Sequence, residues 1–163
     1  MESNAILAVD PGLSRCGIAY LSEEIGIDTD VVPPADAGRM IAAIKRGTVV
    51  IERPQSVGIS NPDVLRTAEL FGWLVSQVPC WAEVRGIYRR EVLKALDVTG
   101  KGNRDTAVRA RLIEMHGGSK QVAVGIKRSP GPLYGVRGDG WAALAVAYAA
   151  KHGAGHKLPD WMT

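Results

Sequence analysis

Asp10, Glu52 and Asp139 are the residues of this chain whose types and places could do chemistry together. Asp10 ends the apolar run "ILAVD" and precedes Pro11-Gly12, Glu52 ends "TVVIE" and precedes Arg53-Pro54, and Asp139 opens "DGWAALAVAYAA". Two of the three have an ordinary explanation. Asp-Pro-Gly satisfies turn chemistry without any function, and an Asp in the first turn of a helix is favoured by capping and by the macrodipole. Glu52 is harder to dismiss: a carboxylate finishing a buried strand needs a partner or a metal, because desolvating it alone is expensive. If the first strand and the strand ending at Glu52 lie side by side and parallel, their two carboxylates converge at one sheet edge. A helix N-terminus docked there brings Asp139 alongside. Three acids that close raise one another's pKa unless a cation neutralises them. Hard oxygen ligands with no His or thiolate select Mg²⁺ or Mn²⁺, and such a cluster suits two-metal phosphodiester hydrolysis.

The elements that must position these residues follow from pattern. Residues 5–9, 16–21 and 27–32 are short apolar or β-branched runs parted by Pro, Gly and acidic turn residues, which predicts strands joined by tight connections. In "PADAGRMIAAIKRG", Ala37, Met40, Ile41 and Ile44 recur at helical spacing with Gly47 on the C-terminal side. "TVVIE" is continuous and β-branched and follows that helix directly, as a fully buried strand does. "SNPDVLRTAELFGWLVSQV" has an Asn cap, a Pro in its first turn and apolar residues at 64, 65, 68, 71, 75 and 78, which makes it the clearest helix of the chain. "CWAEV" predicts a further strand and "RREVLKALDV" a helix broken by "GKGN"; Asn103 then caps "RDTAVRARLIEMHG", with Gly117 as the stop. Beyond the Gly/Pro-rich "SPGPLYGVRG", the last helix runs from about Asp139, and its alanines predict close packing. Three strands that can meander, then helix and strand in alternation, imply a mixed sheet with helices on its faces.

At 163 residues and 46% apolar, the chain is the size of one domain with a sizeable core. Its longest uncharged, strongly apolar stretch, "WAALAVAYAA", is too short to cross a bilayer, and no basic segment followed by an apolar core opens the sequence. No membrane association and a cytoplasmic location are therefore expected. Cys16 and Cys80 have neither metal-ligand spacing nor a disulfide framework, and His116, His152 and His156 are scattered, so free thiols in a reducing compartment and no zinc site are expected. The net charge of +3 hides an asymmetry: residues 85–137 hold twelve Lys or Arg against four acids, the remainder eight against thirteen. A surplus of that kind on one section suits a polyanionic partner, although a solvated, salt-bridged surface explains charge alone as well.

Four segments, "ILAVDPGLSRCGIAYL", "VVIERPQ", "VTGKGNRDTAVRARLIEMHG" and "GDGWAALAVAYAA", resemble in that order the landmark segments of the RuvC-type Holliday junction resolvases, over residues 5 to about 150. The strand-Asp-Pro-Gly opening and the strand-ending Glu about forty residues later are the most specific parts. The resemblance implies an α/β, RNase H-like fold with a five-stranded mixed sheet and helices on both faces, one nuclease domain over 1–163. It implies that Asp10 bridges two Mg²⁺ (or Mn²⁺) ions, Glu52 completes the first site and Asp139 supplies the helix-borne carboxylate. It further implies paired nicks with 5′-phosphate and 3′-hydroxyl ends in four-way or other branched DNA, made by a homodimer in recombination and repair with no nucleotide cofactor. Arg89, Arg90, Lys94, Lys101 and Arg104 are then expected near the DNA. The size, the free cysteines and "SPGPLYG" suggest a phage-encoded member.

Two departures from that pattern bear on function. The final helix of such resolvases carries two ligand-type residues three apart, and here Asp139 fills the first place and Ala142 the second. Asp139 must serve for both, or Asp105 or Asp63 reaches in, or metal binding is weakened. Where an aromatic residue is thought to stack on a junction base, this chain has Gln55, which leaves Tyr88 or Tyr134 to stack or to anchor the core. Two other function classes follow from the same residues: a non-catalytic branched-DNA-binding module with a decayed metal site, and an actin-like nucleotide-binding fold, for which the chain is too short to hold the required second half.

Overall fold

The computed structural model describes residues 5–55, 61–99, 103–159 and 162. Its elements run β1 (Ile6–Asp10), β2 (Cys16–Ser22), β3 (Gly26–Val32), α1 (Pro34–Ala42), β4 (Thr48–Arg53), α2 (Pro62–Ser76), β5 (Glu83–Tyr88), α3 (Arg89–Ala95), α4 (Arg104–Met115), α5 (Lys120–Ala123), β6 (Gly125–Ile126), β7 (Ser129–Pro130), α6 (Gly140–Lys151) and β8 (His156–Lys157). The main sheet has the order β3-β2-β1-β4-β5-β8. The first three strands meander antiparallel, β1, β4 and β5 are mutually parallel neighbours, and β8 returns antiparallel to β5. Helices α1 and α2 lie in the connections that make the parallel pairs possible.

Alternation along each strand sorts the side chains onto two cores. Leu7 and Val9 of β1 and Val49 and Ile51 of β4 pack with Ala37 and Ile41 of α1 and Phe71, Leu74 and Val75 of α2. Ala8, Ala19, Val50 and Ile87 face the other way, onto Val92 of α3, Val108 and Leu112 of α4 and the length of α6. The alanines of α6 serve closeness: Ala143, Ala145, Ala147 and Ala149 are fully buried, and small side chains let the helix lie low on the central strands. A larger residue at Ala145 would have to lift the helix, at a cost of about 1–3 kcal/mol.

The α/β class, the mixed sheet and the helices on both faces are as the sequence predicts, and so are both Asn caps. Asn61 accepts from the backbone N–H of Asp63 at 2.7 Å, and Asn103 from those of Asp105 and Thr106 at 3.1 and 3.3 Å. Two expectations need correction. A sixth strand, the two-residue β8, joins the five expected. The strand placed at "CWAEV" begins three residues later: Pro79–Ala82 forms a turn closed by a 2.9 Å hydrogen bond, and pairing with β4 continues through Gly86 to Tyr88. Gly86 lies inside this strand, where its missing side chain leaves room for Arg53 and Leu158. Among the described residues no helix is long and apolar enough to cross a membrane.

Candidate metal centre

The register of the parallel pair decides where two of the three acids go. Ile6 pairs Thr48 and Val9 pairs Ile51, so the next step along both strands sets Asp10 beside Glu52 at their C-terminal ends. Asp10 shares the parity of Ala8, and Glu52 that of Val50, so both carboxyls leave the sheet on the side covered by α3, α4 and α6. Across the antiparallel pair Asp10 stands opposite Gly17. A Cβ there would lie 2.2 Å from the carbonyl oxygen of Asp139, so the start of α6 rests directly on the backbone of β2 next to Asp10. Asp139 occupies the N-cap position of α6 in an αR conformation and makes no capping hydrogen bond with its side chain. Its carboxylate is not engaged by the ordinary structural role.

A fourth acid arrives on α4. Asp10, Glu52, Asp105 and Asp139 line one cavity of about 300 Å³ together with Arg89, Ala142 and an apolar wall of Val108 and Trp141. Of the two acids considered as replacements for the ligand missing at Ala142, Asp105 is thus in place. Asp63 sits at the start of α2, 3.8 Å from Arg66, and lines no part of the cavity.

Charge within the cavity is only partly balanced. The Arg89 guanidinium lies 3.6 Å from Glu52 Oε2 and pairs also with the Asp105 carboxylate. Glu52 Oε2 is buried, and at that distance it has no hydrogen-bond partner among the described residues. Burial, then the neighbouring Asp10 charge, push the Glu52 carboxyl up to about 7 against the pull of Arg89. Burial likewise raises Asp10 to about 6; Arg89 opposes this, and Asp139 and Asp105 add to it. Among the described residues, no three His, Cys, Asp or Glu are grouped so that they could hold one metal ion in this arrangement. The donor set nevertheless fits a hard divalent cation: it is all carboxylate oxygen, and one buried oxygen lacks a hydrogen-bond partner among the described residues.

Of the residues expected near DNA, Arg90, Lys94 and Arg104 are exposed, and the Arg90 guanidinium stacks 5.2 Å from the Tyr88 ring. Arg89 belongs to the acidic cavity, and Lys101 lies outside the described residues. Tyr88 is half-buried, with Arg53 on it at 4.8 Å, whereas Tyr134 is 47% exposed. Sequence reasoning missed three cations. Arg15 and Arg137 line a cavity of about 520 Å³ that shares Asp139 with the acidic one, and neither has an ion-pair partner among the described residues. Arg109 lies 4.8 Å over the Trp141 ring and lines a third cavity with Asp105 and Arg137. Adjacency was the available signal, since Arg15 follows the Asp10 turn and Arg137 precedes Asp139 by two residues.

No family model and no curated protein matches the chain. Solved structures do. A Thermus thermophilus RuvC structure superposes with a TM-score of 0.61 at 16% identity, covering 94% of this chain and 99% of that one. T. thermophilus RuvC in complex with a Holliday junction substrate superposes with a TM-score of 0.54, at the same identity and coverage. Over nearly its whole length, then, this chain has the RuvC fold, a mixed sheet of the RNase H-like kind with helices on both faces.

Proposed function

We propose that the chain is a divalent-cation-dependent, structure-selective DNA endonuclease that resolves four-way or other branched junctions. One observation carries this: Asp10, Glu52, Asp105 and Asp139, far apart in sequence, meet in a single cavity that holds a buried carboxylate oxygen without a hydrogen-bond partner among the described residues, beside a cavity lined by Arg15 and Arg137. The fold adds to it, since one of the structures it matches is a RuvC bound to a Holliday junction.

Asp10, Glu52 and Asp139 would hold Mg²⁺ or Mn²⁺, two ions per site, with Asp105 in the place left by Ala142. When bound, the ions supply charge at the scissile phosphate and activate the nucleophile, leaving 5′-phosphate and 3′-hydroxyl ends. The protein's own groups do the rest. Arg15 and Arg137 line the cavity beside Asp139 and would meet the phosphates of the strand there, since guanidinium groups recognise phosphate through paired N–H donors. Val108 and Trp141 wall the cavity against water on one side. Two copies, each cutting one strand, would produce the paired nicks, in the cytoplasm where branched DNA arises.

Cleavage of labelled four-way junctions, with linear duplex as control and Mg²⁺ present, tests the proposal. Junction nicking by the parent and at least a hundredfold loss in Asp10→Asn is the expected result; equal cutting by both would remove the metal-cluster assignment. A second reading, a binding module with a decayed site, draws on Ala142 and on the absence among the described residues of three acids grouped tightly enough for one ion. Junction binding without cleavage under any divalent ion selects it.

A further inference from the structure

Arg89 occupies the acidic cavity as a resident cation, and its setting is asymmetric. The backbone around it is fixed. Tyr88 pairs in register with Arg53 of β4, and its N–H donates to Glu91 Oε2 at 2.7 Å, while His156 Nε2 meets Glu91 Oε1 at 2.8 Å. Arg89 is therefore held at the first position of α3, where it lines the cavity with Glu52 of β4 and Asp105 of α4. Its side chain is held less evenly. Toward Glu52, which is 14% exposed, the contact is 3.6 Å, an ion pair without a hydrogen bond; toward Asp105, which is 84% exposed, it is a hydrogen-bonded ion pair. The buried anion is the one left without a hydrogen bond, and the hydrogen-bonded pair is the one that water can replace.

We propose that Arg89 is an internal counter-cation that competes with the divalent ion for Glu52 and Asp105, and that once displaced it is handed to a phosphate of the substrate. This rests on the nuclease reading and deepens it. A doubly charged hard ion binds carboxylate oxygen more strongly than a guanidinium does, so loading the ion expels Arg89 from Glu52. An expelled guanidinium cannot stay in a partly buried cavity without an anion, since an unpaired charge there is costly. The anion supplied by the substrate is a phosphodiester, for which the guanidinium fork is suited. Ion and phosphate then assist each other, and the coupling is reciprocal: whatever factor the junction adds to ion affinity, the ion adds to junction affinity. It also accounts for the absence, among the described residues, of three acids grouped around one point, because Arg89 pairs with two of the four.

Calorimetric titration of the full chain with Mn²⁺, with and without a four-way junction whose phosphates near the branch are phosphorothioates to slow cleavage, tests the coupling. In the parent, junction tightens Mn²⁺ binding about tenfold or more. Arg89→Gln binds Mn²⁺ about tenfold more tightly than the parent when free, gains little from the junction, and melts lower in chelator because two acids have lost their counter-cation. Arg89→Lys, which keeps the charge, stays close to the parent in free Mn²⁺ affinity. Mn²⁺ affinity in the parent that ignores the junction overturns the coupling even if Arg89→Gln does not fold, and equal affinity in parent and Arg89→Gln overturns the competition. In either case a junction still cut in Mg²⁺ leaves the nuclease reading standing. A parent that neither binds Mn²⁺ nor cuts ends both.

Discussion

Gly17 and Asp139 meet backbone to backbone: a Cβ on residue 17 would lie 2.2 Å from the Asp139 carbonyl oxygen and 2.7 Å from its carbonyl carbon. No rotamer change relieves a clash between main-chain atoms. Gly17→Ala should therefore push the start of α6 off β2 and carry Asp139 away from Asp10. A displacement near 1 Å at a catalytic group costs roughly a hundredfold in rate, and overpacking costs about 1–3 kcal/mol. Single-turnover junction cleavage and thermal melting measure the two effects. Gly72→Ala is the matched control, because nothing lies within 4 Å of a Cβ there; in the middle of α2 it should raise stability by about 0.5–1 kcal/mol. Parent-like cleavage by Gly17→Ala would show that the docking contact does not place the acid.

The raised carboxyls of Asp10 and Glu52 make stability fall as pH rises. Their folded values of about 6 and about 7 lie above the ordinary 3.8 and 4.5, so between those limits the folded state binds more protons than the unfolded chain. Their stabilising contribution is complete below about pH 4 and is lost as pH passes through 6 to 7. A shift of this size on one group is worth on the order of 3 kcal/mol, and the coupling between the two acids leaves roughly 1–3 kcal/mol for either alone. In chelator, Glu52→Gln should thus melt above the parent at pH 8 and differ little from it at pH 5. Mg²⁺ at pH 8, which favours the ionised form, should lift the parent more than the variant. A variant that melts below the parent at pH 8 in chelator contradicts burial as the dominant cause of the shift.

Asp105, not Asp63, should matter to catalysis. Asp105→Asn removes a cavity carboxylate that is largely exposed, so cleavage is expected to drop about ten- to a hundredfold while the melting temperature barely moves. Asp63→Asn, on the far side of the sheet beside Arg66, should leave cleavage unchanged. Ala142 lines the same cavity one helical turn beyond Asp139, where an acid also benefits from the positive end of the helix. Ala142→Asp introduced into Asp105→Asn should then recover most of the lost rate. Failure of that double variant to recover anything, with Mn²⁺ affinity also unimproved, would remove Asp105 from the ion-holding set.

The parts of this arrangement that depend on local pattern were legible in the sequence. The convergence of Asp10 and Glu52 was legible as a condition, since two apolar runs that each end in an acid bring those acids together if they pair in parallel, as β1 and β4 do, and Asn61 and Asn103 announce their helices by type and position. What depended on contact across the chain was not legible. Nothing in the sequence marks Gly17 within its strand, since only the approach of Asp139 makes its missing side chain necessary. Starting the fifth strand at Cys80 ended it at Val84, which left Arg89 among surface cations when the true strand end at Tyr88 delivers it to the acids. Asp105 could be suspected but not chosen over Asp63, because the choice turns on which face of the sheet each helix covers.

The last expectation concerns how DNA is held. Arg15 and Arg137 flank Asp139 from a loop after β1 and from the approach to α6, and neither spends its charge on a protein carboxylate among the described residues. Cations placed this way meet phosphates and read no base edges, so their loss should weaken binding to every sequence alike. Parent affinity for the junction should fall steeply with salt, because each phosphate neutralised releases condensed counterions and adds about −0.9 to the slope of log affinity against log salt. The double variant Arg15→Ala/Arg137→Ala should flatten that slope by about 2 in fluorescence anisotropy titrations across a salt series. A change in affinity without a change in slope would mean that the two guanidinium groups act through the shape of the cavity and not through the phosphates. A change in neither would take the cavity they line out of the path of the DNA.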